Sequence, residues 1–133
     1  MFLLDTNVIS ETTKLRPHGA VMSWLAATPA TAIFICAVTI GELQRGVERI
    51  RLLDPAKAQR LDAWIDALVS QHNLLPFDTP AAREWARLVP KRTDPNIEDA
   101  MIAATARFHG LTVATRNVKD FKLFDVPVVN PFE

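Results

Sequence analysis

The chain has 133 residues with 15 basic and 15 acidic side chains, so its formal net charge at pH 7 is zero. This length predicts a single domain over residues 1–133 that is large enough to bury a hydrophobic core. No stretch approaches the ~18 consecutive apolar residues that a transmembrane helix needs, and the N-terminus lacks the pattern of a signal peptide. Composition therefore argues against a membrane protein. Because the charges balance, any surface that binds nucleic acid must be local.

The chain contains a single cysteine, Cys36. One cysteine excludes an internal disulfide framework and fits the reducing environment of the cytoplasm. Because Cys36 lies in the apolar run AIFICAV, we expect a buried core residue rather than a nucleophile.

Short apolar runs alternate with amphipathic patterns along the chain. MFLL and AIFICA have the composition of buried strands, and further strands are predicted at residues 74–77, 111–115 and 126–129. Helical patterns cover residues 20–27, 39–50, 55–73, 79–89 and 98–110, with Gly110 ending the last one. Residues 90–95 are the most loop-like stretch. This alternation predicts βαβ units and an α/β fold, with a mainly parallel sheet covered on both faces.

The helix predicted at residues 55–73 carries the clearest apolar stripe. The stripe consists of Leu61, Trp64, Ile65, Leu68, Val69 and His72. We expect most of it to lie in the core; the alternative is a helical arm that grips a partner.

Acidic and amide side chains follow several of the predicted strands. Ligands of parallel α/β sheets bind outside the carboxyl ends of the strands. Asp5 follows the first strand, and Glu42 is expected in the first turn of the helix after the second. Further polar side chains of this kind are Glu98, Asp99, Asn117 and Asp120. Each residue alone could be a helix cap, a turn residue or a first-turn acid. Together they would repel one another, and a divalent cation relieves such repulsion; oxygen ligands favour Mg²⁺ or Mn²⁺ over zinc.

Other catalytic arrangements find little support. The histidines at positions 18, 72 and 109 have no ligand spacing, the four glycines are isolated, and a GXSXG motif is absent. Trp24, Trp64 and Trp85 fall on apolar helix faces, which favours core packing over base stacking.

Four ordered blocks resemble the signature of the PIN-domain ribonucleases: LLDTNVIS, AVTIGEL, EDAMIAATA and LTVATRNVKDF. The nearest branch is the toxins of VapBC- and FitAB-type toxin–antitoxin systems, and the likeness covers nearly the whole chain. It implies a three-layer sandwich around a parallel sheet of four or five strands.

The resemblance places the acidic site of the family on Asp5, Glu42 and Asp99, with Asp5 and Asp99 as the core of the metal position. The fourth position is Asn117, which offers an oxygen without a charge, and Asp120 is the candidate to act in its place. Thr6 and Thr115 resemble polar residues that orient such a site, and with Arg116 they are candidates for contact with substrate.

The resemblance further implies hydrolysis of RNA phosphodiesters to 5′-phosphate and 3′-hydroxyl ends, with Mg²⁺ polarising the scissile phosphate. Glu42 would complete the metal shell or accept a proton. Candidate partners of RNA phosphates are Arg16, Arg45, Arg49, Arg92, Arg116 and Lys119. The implied partners are RNA, a second copy of the chain in a homodimer, and a DNA-binding antitoxin of VapB or FitA type.

Three alternatives remain at this point. A haloacid-dehalogenase-type phosphatase would need an acid at position 7, where the chain has Asn7. A response-regulator receiver would need paired acids near the first strand. A PIN scaffold that binds RNA or protein without cleaving is kept open by Asn117.

Overall fold

The computed structural model describes residues 1–89 and 96–133. The strands are β1 (Phe2–Leu4), β2 (Ile33–Cys36), β3 (Asn73–Leu75), β4 (Thr112–Ala114) and β5 (Val128–Val129). The helices are α1 (Thr6–Ile9), α2 (Gly19–Ala27), α3 (Ala37–Arg51), α4 (Pro55–Gln71), α5 (Thr79–Leu88), α6 (Ile97–His109) and α7 (Val118–Lys122). Short 3₁₀ turns occupy Ser10–Thr13 and Ala30–Ala32. The loop predicted at residues 90–95 lies outside the described residues.

The five strands form one parallel sheet in the order β3-β2-β1-β4-β5. β1 lies at the centre, between β2 and β4. Because every pair is parallel, the carboxyl ends of all the strands lie at the same edge of the sheet. The segments that follow β1, β2 and β4 therefore start from this edge.

Helices cover both faces of the sheet, and alternate strand residues point to opposite sides. Leu3, Cys36 and Val113 pack with α5, α6 and α7 on one face. Leu4 and Ile35 pack with α1 to α4 on the other face. The structure thus confirms the predicted three-layer sandwich and the buried position of Cys36.

The apolar stripe of α4 contributes to the second of these layers. Ile65 and Leu68 are buried, and Leu61 and Trp64 pack against the same cluster, whereas Val69 is exposed. Trp24 and Trp85 also pack against the core, as predicted. Within the described ranges, no helix is long and apolar enough to cross a membrane.

Several element boundaries differ from the sequence predictions. α3 begins at Ala37 instead of residue 39, because the apolar run AIFICAV contains both the end of a strand and the start of a helix. β3 ends at Leu75, before Pro76, which has no N–H to donate to the sheet. The sequence analysis did not predict α1 and α7, which have four and five residues, too few for a periodic apolar pattern.

Candidate active site

Asp5 lies directly after β1, and three hydrogen bonds fix its carboxylate. Its Oδ1 accepts from the Thr6 N–H at 2.8 Å, and its Oδ2 accepts from Thr115 Oγ1 at 2.8 Å and from Asn7 Nδ2 at 3.2 Å. The residue is 3% exposed. Burial raises the pKa of Asp5, and the hydrogen bonds from Thr115 and Thr6 oppose this rise. The result is a buried carboxylate held in one orientation at the carboxyl edge of the central strand.

Asp99 lies in the first turn of α6, where the Asn96 side chain accepts a hydrogen bond from the Asp99 N–H at 3.0 Å. The residue is 8% exposed, and its carboxylate has no hydrogen-bond or ion-pair partner within residues 1–89 and 96–133. Burial, above all, raises the pKa of Asp99 to about 7. This rise in pKa is increased by the negative charges of four neighbouring side chains, those of Asp5, Glu42, Asp120 and Glu98.

Glu42 lies in the second turn of α3, which corrects the expected first turn; the cause is the earlier start of the helix at Ala37. Its Oε1 accepts a hydrogen bond from Thr6 Oγ1 at 2.9 Å. Burial raises the pKa of the Glu42 carboxyl, the hydrogen bond from Thr6 lowers it, and the charge of Asp5 raises it further. Thr6 therefore links Asp5 and Glu42 through its backbone N–H and its hydroxyl.

The segment after β4 brings Asn117 and Asp120 to the same edge. The Asn117 N–H donates to Thr115 Oγ1 at 2.9 Å, and this hydroxyl in turn donates to Asp5. The Asn117 side chain is exposed. Asp120 lies inside α7 rather than at a cap, and its charge acts on Asp99. The predicted set is thus assembled from four distant segments of the chain.

The candidate phosphate-binding cations have different environments. Arg45 forms a salt bridge with Glu98, with Nη1 and Oε1 3.2 Å apart. Arg116 lies over the ring of Phe132, with its Cζ 3.8 Å from the ring centroid. Arg16, Arg49 and Lys119 are exposed. Arg92 lies outside the described residues.

Asn7 is a site residue that the sequence analysis did not select. Its Nδ2 donates to Asp5, and its Oδ1 accepts from the Arg116 N–H at 3.2 Å. The amide thereby joins α1, which follows β1, to the loop after β4. The available signal was its position in the LLDTN motif, two residues after the carboxylate, where it was considered only as a departure from the phosphatase pattern.

The donor set suits a hard divalent cation that keeps part of its water shell. The described part of the chain has no group of three His, Cys, Asp or Glu side chains arranged to hold a metal together. Mg²⁺ does not require such a cage, because proteins commonly bind it through one or two carboxylates and several waters. Asp99 lies beside the oriented Asp5, and its carboxylate has no partner in the part of the chain that the structure describes, so it fits that mode of binding.

The parallel sheet, with acidic side chains gathered beyond its central strands, defines an α/β protein with a polar site at a crossover between strands. A family model for the PIN domain matches residues 2–126. The chain belongs to the PIN-domain family, which confirms the predicted membership.

Two relatives and a solved structure match the chain over almost its whole length. The toxin FitB of Neisseria gonorrhoeae is 39% identical over 140 residues, which cover 99% of each chain. The VapC ribonuclease Y4jK of Sinorhizobium fredii is 35% identical over 144 residues, which cover 100% of this chain and 99% of the relative. A solved structure of FitAB bound to an IR36 DNA fragment matches with a TM-score of 0.89 at 34% identity, covering 100% of this chain and 96% of that one.

Proposed function

We propose that the protein is a Mg²⁺-dependent endoribonuclease and the toxin of a toxin–antitoxin system. The observation that carries this proposal is the carboxylate of Asp99, a residue only 8% exposed, which has no hydrogen-bond or ion-pair partner among the described residues and lies beside the hydrogen-bonded carboxylate of Asp5. The full-length similarity to a VapC ribonuclease and to the FitB toxin supports the same function.

Asp5 and Asp99 are the residues that would hold Mg²⁺, with Mn²⁺ as a substitute. A bound Mg²⁺ supplies Lewis-acid polarisation of the scissile phosphate and makes a nearby water more acidic. Thr115, Asn7 and the Thr6 N–H orient the Asp5 carboxylate for this task. An oriented carboxylate loses less entropy when it binds a cation, which is the usual contribution of such supporting hydrogen bonds.

Glu42 would complete the metal shell or accept a proton from the attacking water. Its raised pKa brings the carboxyl closer to neutral pH, where a general base is effective. Asn117 offers a carbonyl oxygen at the fourth family position, and Asp120 supplies the negative charge that Asn117 lacks. Hydrolysis adds water across the P–O3′ bond and leaves 5′-phosphate and 3′-hydroxyl ends.

An antitoxin of VapB or FitA type is the partner that the proposal requires. Two adjoining clefts beside α4 share Thr12 and Trp64. The first has a volume of about 370 Å³ and largely apolar walls, and the second, about 810 Å³, is bordered by Lys14, Lys57 and Arg60. These clefts suit a segment with apolar and acidic side chains. Co-expression with the product of the adjacent gene is expected to give a complex that no longer cleaves RNA.

We further expect a homodimer in the cytoplasm. The dimer follows from the family resemblance, and the cytoplasmic setting agrees with the single, buried Cys36 thiol. Light scattering on the purified chain is expected to give twice the 14.8 kDa mass of one chain.

Cleavage of total RNA by antitoxin-free protein tests the nuclease directly. We expect cleavage in Mg²⁺, none in EDTA, and a loss of about a hundredfold or more in Asp99→Asn. Asp66→Asn, an exposed carboxylate on α4, is the matched control and should cleave as the wild type does. Folded protein that binds RNA or antitoxin without cutting in Mg²⁺ or Mn²⁺ would overturn the nuclease in favour of a binding scaffold and would implicate Asn117.

A further inference from the structure

A cleft of about 590 Å³ opens where the chain leaves β4, beside the carboxylate cluster. Two of its lining residues, Asn117 and Asp120, also belong to the candidate active site. The cleft therefore adjoins the position that the proposed function gives to the scissile phosphate. Its described lining residues are Arg116, Asn117, Val118, Lys119, Asp120, Lys122, Asn130 and Glu133.

Three cations line this cleft, and all three are exposed: Arg116, Lys119 and Lys122. None of them forms a salt bridge within residues 1–89 and 96–133. The acids that line the same cleft are Asp120, whose charge also acts on Asp99, and Glu133. Glu11 is near enough for Arg116 to lower its pKa, but Lys14 already pairs with that carboxylate. The cleft thus keeps cationic groups available for an anion.

Arg116 is held at both of its ends. Its backbone N–H donates to Asn7 Oδ1, and its guanidinium lies over the ring of Phe132. Phe132 is itself fixed, since its ring meets that of His18 edge-on at 5.2 Å and its N–H donates to Asn130 Oδ1 at 3.0 Å. A stacked, planar guanidinium is pre-ordered for phosphate oxygens, whereas the two lysines are flexible point charges.

We propose that this cleft binds RNA backbone phosphates that flank the scissile phosphate, with Arg116 oriented by Phe132 as its ordered cation and Lys119 and Lys122 as additional contacts. The proposal rests on the nuclease function above. An acidic protein segment suits the cleft less well, because protein partners use apolar anchors. Val118 is the one apolar residue among the described residues of the lining. The amides of Asn117 and Asn130 can contact ribose hydroxyls.

Fluorescence anisotropy with a labelled single-stranded RNA of mixed sequence tests the cleft without any cleavage. Binding is measured in EDTA and again in Ca²⁺, over a range of salt concentrations. For Lys119→Ala/Lys122→Ala we expect Kd to rise about tenfold, and the slope of log Kd against log salt to fall by about 1.4, for two lost contacts to single-stranded RNA. Arg83→Ala/Arg87→Ala removes the same charge from exposed positions of α5 and should bind within about twofold of wild type.

Phe132→Leu tests the ordering of Arg116 at constant charge. We expect weaker binding, by about threefold, with an unchanged salt slope. The effect should disappear in an Arg116→Ala background, because Phe132 then has no guanidinium to orient. Circular dichroism and thermal melting establish that each variant is folded.

Three results would overturn the cleft: wild type that binds RNA in neither condition, a Lys119→Ala/Lys122→Ala variant with wild-type affinity, or an equal loss in the Arg83→Ala/Arg87→Ala control. These outcomes are independent of the nuclease assay. If the protein cleaves RNA but does not bind it through the cleft, only the proposal about the cleft is wrong. If the protein binds RNA through the cleft but does not cleave it, only the proposed nuclease function is wrong.

Discussion

At the scale of single residues, burial and like charges make Asp99 the most perturbed carboxylate of the site. Its pKa is about 7 in the folded protein, well above the ordinary value of an aspartate. Such a group binds a proton in the folded state at pH values where the unfolded chain has released it. Folding stability is therefore lost as the pH rises towards 7, unless a cation neutralises the cluster.

A comparison of wild type and Asp99→Asn tests this sign. In EDTA, wild-type stability should fall between about pH 4 and pH 7, because in that window Asp99 of the unfolded chain has released its proton while the folded carboxyl still holds it. Asp99→Asn should show a smaller fall, and the remainder belongs to Asp5 and Glu42, whose pKa values are also raised. Thermal melting across this pH range is the measurement, with Asp66→Asn as the control. If the stability of Asp99→Asn falls as steeply with pH as that of wild type, the raised pKa does not belong to Asp99.

Asn7 offers a second residue-scale prediction. Asn7→Ala removes the hydrogen bond that Asn7 donates to Asp5 and the one that it accepts from the Arg116 N–H. The Asp5 carboxylate therefore loses part of its orientation. Supporting residues of this kind typically contribute about tenfold or more to metal affinity or activity. We expect a lower kcat and weaker Mn²⁺ binding. Asn73→Ala is the matched control, because it also deletes an amide hydrogen bond, from Asn73 in β3 to the Ile33 carbonyl, but away from the site. Equal kinetics in wild type and Asn7→Ala would remove Asn7 from the site.

At the scale of elements, the long helices could be predicted and the short ones could not. α4 and α6 show several turns of apolar periodicity, and Gly110 marks the end of α6 with a left-handed φ of +66°. α1 is one turn, stabilised by the Asp5 cap, and one turn contains no period to detect. The strand-to-helix junction at Cys36 was misplaced because hydrophobicity does not change across it.

Two glycines allow a matched test of element stability. Gly110→Ala should destabilise the protein by about 1 kcal/mol, since an alanine is strained in the left-handed region that ends α6. Gly46→Ala, inside α3, should instead stabilise it by about 0.5–1 kcal/mol. A Cβ at either position meets nothing within 4 Å, so packing does not intervene. Urea unfolding measures both changes, and opposite signs are expected; two changes of the same sign would contradict this account of the helix end.

At the scale of the whole molecule, parallel strand order explains why the sequence could predict that the candidate site residues lie near one another. Asp5, Glu42, Asp99 and Asn117 are far apart in the chain, but each lies just after a strand or in the first two turns of a helix near one edge. The sequence could not predict the contacts between them. The bond from Thr115 to Asp5, the link from Thr6 to Glu42, and the contacts of the Asn7 amide all depend on side-chain orientation at the strand ends and in the single turn of α1. The single domain over residues 1–133 stays a prediction.

The central claim is that Asp5 and Asp99 together bind a divalent cation. The most direct measurement is a titration with Mn²⁺, in which electron paramagnetic resonance reports the free ion. The account predicts saturable binding in wild type and Asp66→Asn, competition by Mg²⁺, and loss of binding in Asp5→Asn and Asp99→Asn. Binding that is absent from folded wild type, or equal in all four proteins, would contradict it.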